Sequence, residues 1–181
     1  MSSALQDSSQ RYGAVSRALH WAMALVLGWQ FFTTLVRILM EDSTLDEFTW
    51  GTHRAAGVLL MLLIVLRVIW ALINRHRRPA SLSLAARLGH LGMYLLMLLV
   101  PTLALLRQYG SGRELNVYGL QLMSGFEGER IDWMMAPANL LHGWLGWTLL
   151  AMIVGHIGMT LYHRRHPAQN VLPRMTGKLN D

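Results

Sequence analysis

The amino-acid sequence predicts an all-α integral membrane protein, a bundle of four spanning helices with both termini in the cytoplasm. Composition points there first: of 181 residues, 53% are hydrophobic and only 14% charged, where a soluble domain carries about a quarter charged residues. Four apolar stretches then each reach the roughly 20 residues that a ~30 Å hydrocarbon core requires. Finally, the charges between those stretches are sorted by sign, which sets the orientation.

In chain order, residues 1–17 are a short polar segment. Its start, MSSALQDSSQ, lacks the apolar run of a cleavable signal peptide and reads as a disordered lead-in. The spanning domain covers 18–163, with apolar stretches at approximately 18–40, 51–73, 84–106 and 138–162. Pro101 falls inside the third, where neighbouring helices can satisfy the carbonyl it frees. The link EDSTLDEFTW after the first span holds Glu41, Asp42, Asp46 and Glu47 and no base. The link NRHRRPASLSLAAR after the second holds Arg75, Arg77, Arg78 and Arg87 and no acid, and the link at 108–137 is mixed. Arg11 and Arg17 lie in the first segment, and residues 164–181 form a basic tail with Arg164, Arg165, Arg174 and Lys178. The positive-inside rule therefore places both termini and the second link in the cytoplasm, as in a multi-pass protein of the bacterial cytoplasmic membrane. The net charge of +6 is a topology signal and an attraction to anionic lipid, not a nucleic-acid footprint. Cysteine is absent, which excludes disulfides, thiolate metal sites, Cys-ligated iron–sulfur clusters and covalent c-type haem.

Histidine carries the chemistry. His20 falls near the cytoplasmic end of the first span, His53 near the outer end of the second, His90 at the cytoplasmic start of the third, and His142 near the outer end of the fourth. His156 follows His142 by fourteen residues, about 21 Å along a helix at ~1.5 Å per residue and close to four turns, so both imidazoles share one face. They are too far apart for one ion but suit two centres stacked across the membrane. At matching depths His53 meets His142 outside and His20 meets His156 inside, and an imidazole from each side of a flat macrocycle makes a bis-histidine b-type haem site. Gly57, Gly143, Gly146, Gly155 and Gly158 lie near these histidines and leave room for a porphyrin. Any one such histidine or glycine also has a purely structural use, hydrogen bonding a carbonyl or letting helices pack closely; four histidines in two layers favour the cofactor. His76, His163 and His166 sit beside the basic links as solvated interfacial residues, and Trp21, Trp50, Trp70 and Trp133 fall at interfaces where indole belts occur.

The stretches SRALHW, THRAAGVLLMLLIVLRVIW, LGHLGMYLLMLLVP and LHGWLGWTLLAMIVGHIGMTLYHRRH together resemble the bacterial cytochrome b561 family over nearly the whole chain. Members of that family include a superoxide:ubiquinone oxidoreductase. The fourteen-residue histidine spacing is also similar to that of cytochrome b subunits of membrane-bound hydrogenases and formate dehydrogenases. The resemblance implies two haems b, with His20 and His156 as axial ligands of the cytoplasmic one and His53 and His142 of the periplasmic one, and a quinone site near one haem. Some relatives carry HLGH at the start of the third span where this chain has RLGH, from Arg87 to His90.

Arg67, fourteen residues after His53, returns to the same helix face at the depth of the inner haem. It serves either as a bidentate partner of haem propionates or as a snorkelling interfacial cation. Arg54 and Arg37 can do the same for the outer haem, or form a positive mouth for an anionic donor such as superoxide, against which the acidic first link works. His90, with Tyr94, Arg17 and Arg87 near in depth, is placed to hydrogen-bond a quinone carbonyl and relay protons, or to pack by a hydrogen bond within the bundle. The expected function is electron transfer from a small or protein donor on the periplasmic side to ubiquinone or another quinone in the lipid. With superoxide as donor the chain would be an oxidoreductase in its own right. The alternatives are a haem-bearing anchor subunit of a dehydrogenase or hydrogenase and, from a different class, a haem-free transporter.

Overall fold

A computed structural model describes residues 5–166 and 169–177. Its order is α1 (Ala14–Leu39), α2 (Thr44–Ile73), α3 (Leu84–Gly110), β1 (Leu115–Val117), β2 (Leu120–Met123), α4 (Asp132–Arg164) and the short α5 (Leu172–Thr176). The four long helices are each long and apolar enough to cross a membrane, and large side chains such as Leu25, Leu62, Leu95 and Val154 are exposed on the bundle surface, where they meet lipid. Because lipid tails are as apolar as leucine, such helices are held by packing and polar contacts rather than by escape from water.

Helix α2 begins inside the stretch read from sequence as the first link. Ser43 caps it, its side chain accepting from the Asp46 backbone N–H at 3.1 Å. Asp46 and Glu47 occupy the first turn, where negative charge favours the helix dipole. The connection from α1 to α2 is thereby reduced to residues 40–43. Asp46 is fully buried and receives the Arg37 Nη1 donor at 2.6 Å, so the acid that looked like loop solvation clamps α1 to α2. Helix α4 likewise starts earlier than its apolar stretch and runs through Pro137, as α3 runs through Pro101.

The third link contains a hairpin that the sequence reading did not anticipate. β1 and β2 pair antiparallel, with Val117 opposite Leu120. The two turn residues, Tyr118 and Gly119, have φ of 49° and 85°, the pattern of a type I′ turn. Asn116 Oδ1 accepts from the Gly119 N–H at 3.0 Å and holds it.

At the opposite end of the bundle the first described residues are packed rather than a disordered lead-in. Asp7 is buried, accepting from the Gly13 N–H at 2.8 Å and from Arg78 Nε at 3.1 Å. Arg77 hydrogen-bonds Gln6, and the Arg78 guanidinium lies over the Tyr12 ring. The basic tail joins them: the Tyr12 N–H donates to the Arg174 carbonyl, Arg174 Nη1 to the Ala80 carbonyl, and Trp21 Nε1 to the Met175 carbonyl. Both ends of the described chain and the α2–α3 link thus form one strap across the same end of the bundle. Lys178 lies outside the described residues.

Helix α1 packs along α2 and α3 along α4, with a lighter contact between α2 and α3 and only sporadic close approach of α1 to α4. The architecture is two tight helical hairpins meeting along a loose seam. The buried core is Met23 and Leu27 of α1, Leu60 and Ile64 of α2, Met97 of α3 and Leu149 of α4. These lie in sequence between His20 and Thr33 in α1, His53 and Arg67 in α2, His90 and Val100 in α3, and His142 and His156 in α4. An apolar mid-section therefore separates two polar layers.

Candidate functional site: two histidine layers

The far layer, at the end opposite the chain termini, is built on His53 of α2 and His142 of α4. Each has a polar partner on Nδ1. His53 Nδ1 is 2.8 Å from Oγ1 of Thr33, a fully buried residue of α1. His142 Nδ1 is 3.1 Å from the Val100 carbonyl of α3. A carbonyl only accepts, so His142 carries its proton on Nδ1 and keeps a free lone pair on Nε2, the state an imidazole needs to ligate a metal. The Trp50 ring stacks on His53 at 4.7 Å between centroids and fixes its plane from the other side. Around this layer Trp29 Nε1 donates to Thr52 Oγ1 at 2.8 Å, a further tie between α1 and α2.

The layer at the termini end gathers three imidazoles. The His20 and His156 ring centroids are 6.4 Å apart with planes at 72°, and His90 stands 5.3 Å from His156 at the same angle. Among the described residues no ring nitrogen of His20, His90 or His156 makes a hydrogen bond to another residue's side chain. His20 and His156 are half-buried, whereas His90 is exposed at the rim of the bundle. Arg67 of α2 acts electrostatically on all three. Its Nε donates to the Tyr94 hydroxyl at 2.7 Å, while its Nη1 is buried with no partner. Trp70 Nε1 and Ser16 Oγ are also buried and unpartnered at this end. A buried donor left unpaired costs about 1–3 kcal/mol, so three of them together mark a place for an acceptor that the protein chain does not itself supply.

These features fit a haem in each layer. Imidazoles of different helices stand in each layer, and the unpaired Arg67 Nη1 suits a propionate carboxylate. A Cβ built on Gly146, one turn beyond His142, meets nothing within 4 Å, and one on Gly57 meets only Gln30 Nε2 at 3.2 Å. The other glycines read as porphyrin space lie elsewhere: Gly155 and Gly158 are exposed, and Gly158 sits about 200° around the helix from His156. Although three imidazoles converge, among the described residues no three His, Asp or Glu side chains form a group able to hold a bare metal ion.

The remaining arginines read from sequence separate by partner. Arg37 is held by Asp46 and, at 3.5 Å, Glu41, and lies over the Trp50 ring. Arg54 lines a cavity of about 350 Å³ between the start of α2 and β1, together with Thr52, Glu114, Asn116 and Tyr118. Arg17 turns away from His90, donating to the Tyr12 carbonyl and lying against Gly177. Arg87 is exposed on the first turn of α3. Trp70, read as an interfacial indole, is drawn inward. Thr33, Val100, Ser16 and Trp70 escaped the sequence reading as site residues. Thr33 alone had a usable signal, a small hydroxyl residue at the depth of His53.

A family model of prokaryotic cytochrome b561 matches residues 11–178. The chain is 30% identical over 182 residues to cytochrome b561 homolog 2 of Escherichia coli (strain K12), covering 95% of this chain and 94% of that one.

Proposed function

The chain belongs to the prokaryotic cytochrome b561 family, and from that premise we propose that it carries electrons from a periplasmic donor to the quinone pool of the bacterial cytoplasmic membrane. Membership makes it a multi-pass bacterial membrane protein that binds haem b and transfers electrons. The observation that carries the finer reading is the pair of histidine layers on either side of the apolar mid-section.

A bound haem b supplies a one-electron iron centre; the chain's residues do the rest. His53 and His142 hold one haem, and His20 and His156 the other. Arg67, Trp70 and Ser16 present their unpaired donors to carboxylates at the second. The arginines of the α2–α3 link and of the segment after α4 cluster with the termini, and the positive-inside rule supports a cytoplasmic position for that end. His90, exposed beside His156, meets a quinone arriving from the lipid and hands it a proton, with Tyr94 held in place by Arg67. At the periplasmic end Arg54 gives the cavity beside β1 a positive group for an anionic donor. With superoxide as that donor, two anions release two electrons and two dioxygen molecules, and the electrons with two protons convert quinone to quinol. The exposed hairpin residues Tyr118 and Leu120 are the surface a catalytic subunit would meet if the chain is instead a membrane anchor.

The test is a reduced-minus-oxidised visible spectrum with haem quantification on detergent-purified protein, for the wild type, His142→Ala and His20→Ala. Two haems b per chain, with each variant losing a different one, is the expected result. Folded wild-type protein without haem would overturn the reading.

A further inference from the structure

Thr33 has more contacts than its one proton can serve as donor. Its Oγ1 lies 2.8 Å from the Gln30 carbonyl and 2.8 Å from His53 Nδ1. The carbonyl can only accept, so the hydroxyl proton goes to Gln30. The Thr33 oxygen then accepts from His53 Nδ1–H, and His53 Nε2 keeps its lone pair. The relay ends on a helix carbonyl, and the Thr33 hydroxyl that links the two is itself fully buried.

We propose that Thr33 is a positioning residue for His53 and that, together with the Val100 carbonyl behind His142, it makes the periplasmic haem the lower-potential centre of the two. The inference rests on the two-haem reading above. An imidazole that donates its second N–H is the more basic ligand, and a more basic ligand stabilises Fe(III) over Fe(II), so second-shell hydrogen bonds lower the potential. Both periplasmic-layer histidines have such an acceptor. Among the described residues neither His20 nor His156 has one, and the buried Arg67 guanidinium beside them favours the less positive, reduced state. Electron flow from the periplasmic to the cytoplasmic side is then downhill by construction of the site, whichever donor supplies the electrons.

The experiment is a potentiometric titration of both haems followed by visible absorbance, on wild type, Thr33→Val, Thr33→Ser and Thr34→Val. The waves are assigned from His20→Ala and His142→Ala. Thr34 Oγ1 donates to the same Gln30 carbonyl at 3.0 Å without a bond to His53, so its variant reports effects on α1 alone. The expected result is that the lower wave belongs to the His53–His142 site and that Thr33→Val moves only that wave upward, while Thr33→Ser and Thr34→Val leave it in place. Selective loss of the periplasmic haem from Thr33→Val, with Thr33→Ser and Thr34→Val fully loaded, supports the same role. The proposal fails if Thr33→Val holds both haems with an unmoved lower wave, if Thr34→Val disturbs the site as much, or if the wild-type periplasmic wave is the higher one. Wild-type protein lacking haem would overturn the functional reading itself, a result told apart by the wild-type spectrum alone.

Discussion

The two layers each bring histidines of different helices to one level yet hold them by different physics. At the end opposite the chain termini each imidazole is oriented by a hydrogen bond, His53 with the Thr33 hydroxyl and His142 to the Val100 carbonyl, and Trp50 stacks on His53. At the termini end the rings meet edge-on, with a third imidazole added, and Arg67 Nη1, Trp70 Nε1 and Ser16 Oγ around them are unpaired. The first layer orients its imidazoles within the protein, with Gln30 Oε1 beside it left unpaired; the second leaves the Arg67, Trp70 and Ser16 groups unpaired. Burial explains why both designs hold. A hydrogen bond in a low-dielectric interior orients a ring firmly, and an unpaired buried guanidinium is tolerated where an anionic ligand repays it.

The comparison is broken most severely by filling space at one layer. If each layer holds a haem, as proposed, Gly146→Leu should remove the one at His53 and His142 and halve the haem content per chain, because the side chain grows into the open volume one turn from His142. Gly158→Leu, on the opposite helix face, should retain both haems, and pyridine haemochrome quantification of the two proteins checks this. A smaller and opposite effect is expected from Arg67→Leu. Removing the cation should shift the cytoplasmic wave downward in a redox titration and leave the periplasmic wave unmoved; an equal shift of both would mean that Arg67 does not belong to one layer. Smallest for the haems is Arg78→Ala. It leaves the buried Asp7 carboxylate without its ion-pair partner, a loss worth about 3 kcal/mol. Thermal unfolding in detergent should fall accordingly while both potentials stay put, showing that the strap at the termini end fastens the bundle without tuning the site.

Much of this was legible before any coordinates. A bilayer leaves a spanning backbone no choice but helix, so apolar length alone placed the four spans, to within a few residues at the end that carries the chain termini. The fourteen-residue steps from His142 to His156 and from His53 to Arg67 each return to one helix face. Boundaries outside the hydrocarbon were less visible. The acidic run at 41–50 looked like a loop because its charges resemble solvation, although the Ser43–Asp46 pair is itself a helix-start signal. The hairpin around Tyr118 and Gly119 hid in a short mixed link.

The sequence by itself determined the number of spanning helices and the order of the histidines along each, because these depend on apolar length and on the cost of polar groups in lipid. Only the tertiary structure decided that Thr33 meets His53, that Val100 faces His142, that Arg67 divides its donors between Tyr94 and an empty valence, and that Asp7 reaches Arg78. Each of these joins residues far apart in the chain. Their meeting depends on which helices pair tightly and where the seam between them opens, a matter of side-chain packing that no local pattern encodes.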